Sequence, residues 1–316
     1  MSPLLTRRRV MAAKIEDTPG TAEALSASEA AFNVFEPQTQ PNVEFNERDG
    51  QGATSPLAGV PGARGGQATF AVEVVGSGSV GAPVPAWAST FLPACGLYDD
   101  SDIFKLDSRP PEAAGSNAKT LTIGVYEDGL LKVLRGCMGN AVMRFTAGRP
   151  ARIEFTFTGL WVQPSDVALL APNYPSTLPR RFASSALTIG SWTPKVAEVT
   201  VDLGNEVVLR EDATDLTGYH SAVIVNRRVT GTLNPESTLI ASADPHADWL
   251  NPTERALLLR LGVGSADGNL IQLDAPKFQL TNVQGGDRGG VGIHELSFQL
   301  NRSADAGEDE LTVTFS

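Results

Sequence analysis

The sequence predicts a mainly β protein: two tandem antiparallel units, each a β-sandwich or barrel-like sheet with a short flanking helix. Three observations lead to this class. Apolar and polar residues alternate with period two through most apolar segments, helical periodicity is scarce, and one succession of segments occurs twice along the 316 residues. Such alternation marks strands with one buried and one solvated face. Short, turn-bounded strands favour antiparallel sheets over β-α-β units. The length suits about two domains at roughly 100–200 residues each.

In chain order, the clearest alternating segments are Thr69 to Val74, Leu121 to Tyr126, Arg152 to Phe157 and Val199 to Leu203. Further strands are expected at Val142 to Thr146, Glu206 to Arg210, Ser221 to Val225, Val229 to Leu233, Glu295 to Leu300 and Glu310 to Phe315. Two helices are expected. Ala86 to Leu97 is one, and Asn251-Pro252-Thr253-Glu254 reads as an N-cap with proline at the first position, opening a helix over Arg255 to Leu261. The 31 glycines and 21 prolines are about a sixth of the chain, above the roughly 12% of average usage, so turns are many.

The recurring succession begins with Val43-Glu44-Phe45 and Arg48-Asp49 before the strand Ala68 to Val74. It returns as Val207-Val208-Leu209 and Glu211-Asp212 before Val229 to Leu233. The segment Ala86 to Leu97 matches Trp249 to Leu261, and Ile153 to Phe157 matches His294 to Phe298. Two copies of one β-rich unit follow, residues 1–163 and 164–316, joined near Gln163-Pro164-Ser165.

Composition narrows the function. With 41% hydrophobic and 19% charged residues the chain is neither disordered nor fibrous. A formal net charge of −11 argues against tight nucleic-acid binding, which draws its affinity from Lys and Arg on phosphates. Cys95 and Cys137 are too few for a disulfide framework and read as free thiols in a reducing compartment. No stretch reads as a membrane span, and Thr6-Arg7-Arg8-Arg9 lacks the apolar region of an export signal behind it, so synthesis in the cytoplasm is expected.

No motif assembles a catalytic centre. Gly76-Ser77-Gly78-Ser79-Val80-Gly81 has dinucleotide-loop spacing, but Pro83 and Pro85 follow where a helix should start, so it reads as a strand-to-helix loop. Asp99-Asp100-Ser101-Asp102 lacks the glycine and distal glutamate of a calcium loop. Asp244 to Asp248 reads as a helix-capping turn, and His220, His246 and His294 form no ligand spacing. Trp87 and Trp249 read as core anchors of the two helices. Neither cofactor, metal nor catalytic residue is expected.

Several phrases carry a family resemblance. Leu187-Thr188-Ile189-Gly190, Val201-Asp202-Leu203-Gly204-Asn205-Glu206-Val207, Arg210-Glu211-Asp212, Gly218-Tyr219 and Asn226 to Pro235 follow one another in the second copy. Leu134 to Gly139, Ile153 to Trp161 and Arg8 to Thr21 precede them. Together they resemble the tail tube (major tail) proteins of long non-contractile-tailed bacteriophages, of a duplicated-domain type. The resemblance implies a structural virion protein, not an enzyme, that self-assembles in the host bacterial cytoplasm into stacked rings around a lumen through which DNA passes without specific binding. Its implied partners are further copies of itself and the tape-measure, tail-terminator and tail-tip proteins. Single-unit relatives form six-membered rings, so a duplicated chain would close a homotrimeric ring. Another β-rich virion component, such as a decoration or baseplate protein, is the alternative, followed by a carbohydrate-binding or enzymatic sandwich.

Two surfaces are expected within that reading. The segment Gly50 to Gly66, with Gly50, Gly52, Pro56, Gly59, Pro61, Gly62, Arg64 and Gly66, is expected to be a mobile inter-ring loop, and the first 30 residues, with Pro3 and Pro19, to brace a neighbour. The lumen is expected to carry an excess of carboxylates drawn from Glu44, Glu47, Glu73, Glu154, Glu198, Asp202, Glu206, Glu211 and Glu295, which keep phosphates from adhering to the wall.

Overall fold

The computed structural model of the chain describes residues 5, 7–52, 54–262, 264 and 267–316. Its elements are β1 (Arg9–Ile15), β2 (Val34–Arg48), β3 (Leu57–Glu73), α1 (Ala86–Phe91), β4 (Leu97–Asp100), β5 (Ile103–Leu106), β6 (Leu121–Glu127), β7 (Leu130–Thr146) and β8 (Arg152–Asp166). Then come β9 (Ala186–Ile189), β10 (Val196–Asp202), β11 (Asn205–Glu211), β12 (Tyr219–Arg227), β13 (Thr230–Pro235), α2 (Pro245–Leu250), β14 (Glu254–Leu261), β15 (Ile271–Arg288), β16 (Val291–Leu300) and β17 (Thr312–Phe315). The protein is mainly β with two short helices, as the alternation predicts.

Fifteen strands form one antiparallel network whose main path runs β2-β3-β8-β7-β10-β13-β16-β15-β17-β5-β4, with β6-β1 branching from β7 and β14-β9 from β15; β11 and β12 form a separate hairpin. Side chains alternate across it. Phe70, Val72, Ile153, Phe155, Phe157, Met143, Phe145, Val199, Val201, Leu233, Leu296 and Phe298 point into one core that α1, β6 and β14 help to close. Phe91 of α1 meets Phe32 and Phe70 at 4.9 Å between centroids and Phe155 at 5.3 Å. A helix of six residues is not stable alone in water, so this burial holds it.

The strand register repeats along the chain. The pairs Val34↔Val72, Thr39↔Ala68 and Val43↔Arg64 between β2 and β3 have the pattern of Val196↔Pro235 and Val201↔Gly231 between β10 and β13, continued by Asn205↔Arg227 between β11 and β12. Ile153↔Met143 and Glu154↔Val142 likewise parallel His294↔Gly285 and Glu295↔Gln284. Leu121↔Cys137 parallels Glu254↔Gln279.

Several expectations are corrected. Arg255 to Leu261 is strand β14, not a helix: Leu257, Leu259 and Leu261 are buried in alternation while the strand lies between β9 and β15. A run of leucines fits either period, and tertiary pairing decides. The helix lies earlier, with the Asp244 carboxylate accepting from the Ala247 N–H at 2.9 Å and Pro245 at the first position. Gln163-Pro164-Ser165, where the joint is expected, lies within β8. Within Gly50 to Gly66, residues Gly59, Pro61, Gly62, Arg64 and Gly66 belong to β3, so the loop shrinks to the turn between Arg48 and Leu57, of which Ala53 lies outside the described residues. Arg9–Ile15 pairs with β6 of its own chain instead of waiting for a neighbour, although Pro3 and Thr6 lie outside the described residues. Most strands are short, as expected, but β2, β3, β7, β8 and β15 are long, with 15 to 18 residues.

Candidate functional surface

Two features of the sheet are candidates for function: its polar face and a joint near its middle. Residues in register on adjacent strands share a face. One rung reads Ala71, Glu154, Val142, Asp202, Thr230, Gln299 and Gln279 across β3, β8, β7, β10, β13, β16 and β15. The next reads Glu73, Arg152, Arg144, Thr200, Thr232, Ser297 and Asn282 over the same strands. Glu198, opposite Thr146, and Glu295, opposite Gln284, extend the face by alternation.

Hydroxyls, amides and carboxylates therefore cover the side opposite the core. Five of the nine expected acids, Glu73, Glu154, Glu198, Asp202 and Glu295, lie on it, exposed or half-buried. Arg144 and Arg152 are the cations among them. Arg144 pairs with Glu154 at 2.9 Å, and the Arg152 guanidinium stands over the Phe35 ring at 4.6 Å. The other four acids sit elsewhere: Glu44 and Glu47 on the outer half of β2, Glu206 and Glu211 on β11.

At the joint, β10 pairs with the second half of β7 through Val142↔Asp202, Arg144↔Thr200 and Thr146↔Glu198. The hairpin β11–β12 continues past it and lies over β7, where Val207, Leu209 and Ile224 pack with buried Ala118, Met138 and Ala222. Polar contacts fix the crossing. Leu203 N–H donates to the Ala141 carbonyl at 3.1 Å, Asn205 Nδ2 to the Gly139 and Cys95 carbonyls, and Asn140 Nδ2 to the Asp202 carboxylate. Arg135 Nη2 donates to both oxygens of Asp215, at 2.8 and 2.7 Å, in the turn of the hairpin. Burial opposes ionisation of Asp215, but the Arg135 and Thr217 hydrogen bonds outweigh it and hold the carboxyl at about 2.

Sequence reasoning missed this clasp, because Arg135 and Asp215 belong to segments 80 residues apart. It also missed buried Glu16, whose oxygens accept from the Gly20 and Gly136 N–H groups and the Thr120 and Thr122 hydroxyls at 2.7–2.8 Å. Gly76 to Gly81 lies in the strand-to-helix connection, and Asp99 to Asp102 forms the β4–β5 turn. Trp87 is 4% exposed and donates Nε1–H to the Val75 carbonyl, whereas Trp249 is 38% exposed and donates to that of Thr281, so only Trp87 anchors a core. His246 and His294 meet edge to face at 5.5 Å. Among the described residues no group of three or more His, Cys, Asp or Glu is placed to hold a metal, and no helix is long and apolar enough to cross a membrane. Cys95 and Cys137 are buried free thiols, and burial pushes both well above the ordinary thiol range.

A wide antiparallel sheet with one solvated and one sealed face places the chain among mainly β proteins. No curated protein matches the chain. A family model described as phage tail tube protein matches residues 6–315. The chain belongs to the phage tail tube protein family, and with it to the structural components of the virion tail.

Proposed function

We propose that three copies of this chain close a ring, that rings stack into a hollow tube, and that the polar face of β3, β8, β7, β10, β13, β16 and β15 lines the channel through which DNA leaves the capsid. The recurring register is the observation that carries the ring reading: it supports two copies of one unit per chain, with the irregular stretch 167–180 as the connection in place of Gln163-Pro164-Ser165. Each copy then supplies one wall segment, and three chains give pseudo-six-fold symmetry. Side-by-side contacts of this head-to-tail kind close into rings when the rotation permits.

The face suits a duct. A lumen with many Lys or Arg contacts would hold the duplex through phosphate neutralisation, by about one released counterion per contact. Carboxylates repel phosphates over roughly 8 Å at physiological salt and hydroxyls hydrate the wall. The role is structural rather than catalytic. Assembly takes place in the bacterial cytoplasm, with the tape-measure protein inside the growing tube, terminator and tip proteins at its ends, and the turn 49–56 reaching toward the next ring.

Electron microscopy of the concentrated protein tests the reading. Hollow tubes whose reconstruction places three chains per ring are expected. Discrete oligomers without a channel, or six chains per ring, would overturn it.

A further inference from the structure

Among the described residues the outer half of the β2–β3 hairpin pairs with no other strand of its own chain: 43–48 and 57–61 pair with each other, and β3 meets β8 only from Gly65 onward. Yet this arm exposes apolar side chains between its charged ones: Val43, Leu57 and Val60 are exposed, and Phe45 is 66% exposed. Its counterpart β11–β12 is not left in solvent but lies on β7.

We propose that the arm of one chain docks on the next chain in the cleft between Val225–Arg228 and Gln299–Arg302, and that Glu36–Gln40 of β2 there extends the sheet beyond Gln284–Arg288 of β15. The occupant is a second copy of this chain, and the inference rests on the ring reading above. The internal joint supplies the template. By the repeating register, Val142, Arg144 and Thr146 of β7 correspond to Gln284, Gly286 and Arg288, while Asp202, Thr200 and Glu198 of β10 correspond to Gln40, Gln38 and Glu36. Carrying the three internal pairs over sets Gln284 opposite Gln40, Gly286 opposite Gln38 and Arg288 opposite Glu36. Among the described residues neither edge has a further strand partner: β2 ends the strand path, its Pro37 carbonyl accepting from the Arg9 side chain at 3.1 Å, and β15 over Gln284–Arg288 pairs only with β16.

Chemistry agrees with the geometry. Arg288, which in its own chain reaches Glu236 at 3.5 Å and donates to the Asn234 carbonyl at 3.2 Å, carries charge opposite to Glu36 and would share it across the strands. Along the arm, Val43 and Phe45 take the places of Asn205 and Val207, on the face that β11 turns toward β7. The cleft measures about 880 Å³ and is lined by Val225, Arg227, Arg228 and Arg302 among others. Inside the chain, Leu209 lies against Gly65; the counterparts are Glu47 and Arg228, so an apolar contact becomes an ion pair between chains. Arg228 and Arg302 have no carboxylate partner among the described residues, their guanidiniums going to the Gln299 side chain and the Asp305 carbonyl.

The external joint is weaker than its template in one respect. Pro37 and Pro41 occupy the places of Val199 and Leu203, and the Leu203 N–H bonds Ala141 across the internal joint. Proline lacks that donor and is tolerated on an edge strand whose N–H side faces outward. Two missing ladder bonds protect the free chain from indiscriminate strand pairing, and the arm supplies the specificity that the edge gives up.

Paired cysteines test the register. Gln40→Cys with Gln284→Cys places two thiols opposite each other at the roughly 4.5 Å Cα spacing of a non-hydrogen-bonded pair, within disulfide reach. Buried Cys95 and Cys137 stay out of the reaction. On a non-reducing denaturing gel the oxidised protein should form dimers and then a limiting three-chain species, at least tenfold more than Gln40→Cys with Gly285→Cys. Phe45→Asp should leave the thermal midpoint of the isolated chain unchanged and lower ring formation at least tenfold. Tubes that form without the cross-link, or with Phe45→Asp at wild-type yield, overturn the proposed joint and leave the tube reading standing. Cross-linked three-chain rings that never stack uphold the joint and overturn the tube. Neither cross-links nor tubes overturn both.

Discussion

Arg135 and Asp215 show how a single pair ties the second hairpin to the sheet beneath it. The side chains are 18% and 24% exposed, so the pair is only partly screened by solvent and worth more than an exposed one. The Asp215 carboxyl titrates at about 2 against an ordinary 3.8. A depressed carboxyl favours the folded chain fully above its unfolded value and loses that contribution as the pH falls through the folded one. Asp215→Asn should therefore destabilise the protein by about 1–2 kcal/mol at pH 7. Urea titrations of both proteins should find the difference shrinking between pH 4 and pH 2 and gone below about pH 2; an equal deficit at every pH would place the effect in packing alone.

At the scale of elements, close approach between strands governs what the sheet accepts. A Cβ on Gly231 in β13 would overlap the Thr200 carbonyl oxygen and the Phe298 ring, one on the β10 side and the other on the β16 side. Gly231→Ala should cost about 2 kcal/mol through overpacking between those strands. Gly285 in β15 meets nothing within 4 Å, so Gly285→Ala should leave the free chain within about 0.5 kcal/mol of wild type. Denaturant midpoints of the two variants make the comparison, and equal losses would show that strand geometry rather than contact is responsible. The same local crowding explains why β13 carries glycine where its pattern otherwise favours a branched residue.

For the whole molecule, the testable quantity is the charge of the polar face in the assembled state. Replacing Glu154, Glu198 and Glu295 by Lys changes each position by two charges without touching the buried side of the sheet or the Asp202 contacts at the joint. Assembled tubes of that variant should retain duplex DNA at low salt and release it steeply as salt rises, with a log–log slope of about −0.9 for each phosphate neutralised. Wild-type tubes should show little retention at physiological salt. Equal retention by both would place these residues on the outside of the wall.

The sequence by itself determined which segments alternate, and so which strands have a core face: Phe70 and Val72 against Thr69 and Glu73, Ile153 and Phe155 against Arg152 and Glu154. Period two is a local property, legible without partners. It also carried the expectation of a succession of segments occurring twice, and the resemblance of the phrases around Val201 to Pro235 to tail tube proteins, the family whose model matches the chain. It could not tell that Arg255 to Leu261 is a strand, because Ala256-Leu257-Leu258-Leu259 satisfies either period until β9 and β15 supply hydrogen bonds on both sides. Nor could it show that Gly59 to Gly66 is strand rather than loop, since glycine and proline are turn signals unless a long hairpin partner such as β2 is at hand. Only tertiary structure gathered Glu73, Glu154, Glu198, Asp202 and Glu295 onto one face and brought β10 to the edge of β7, for register between distant strands depends on which edges meet, and periodicity within one segment carries no information about its neighbour.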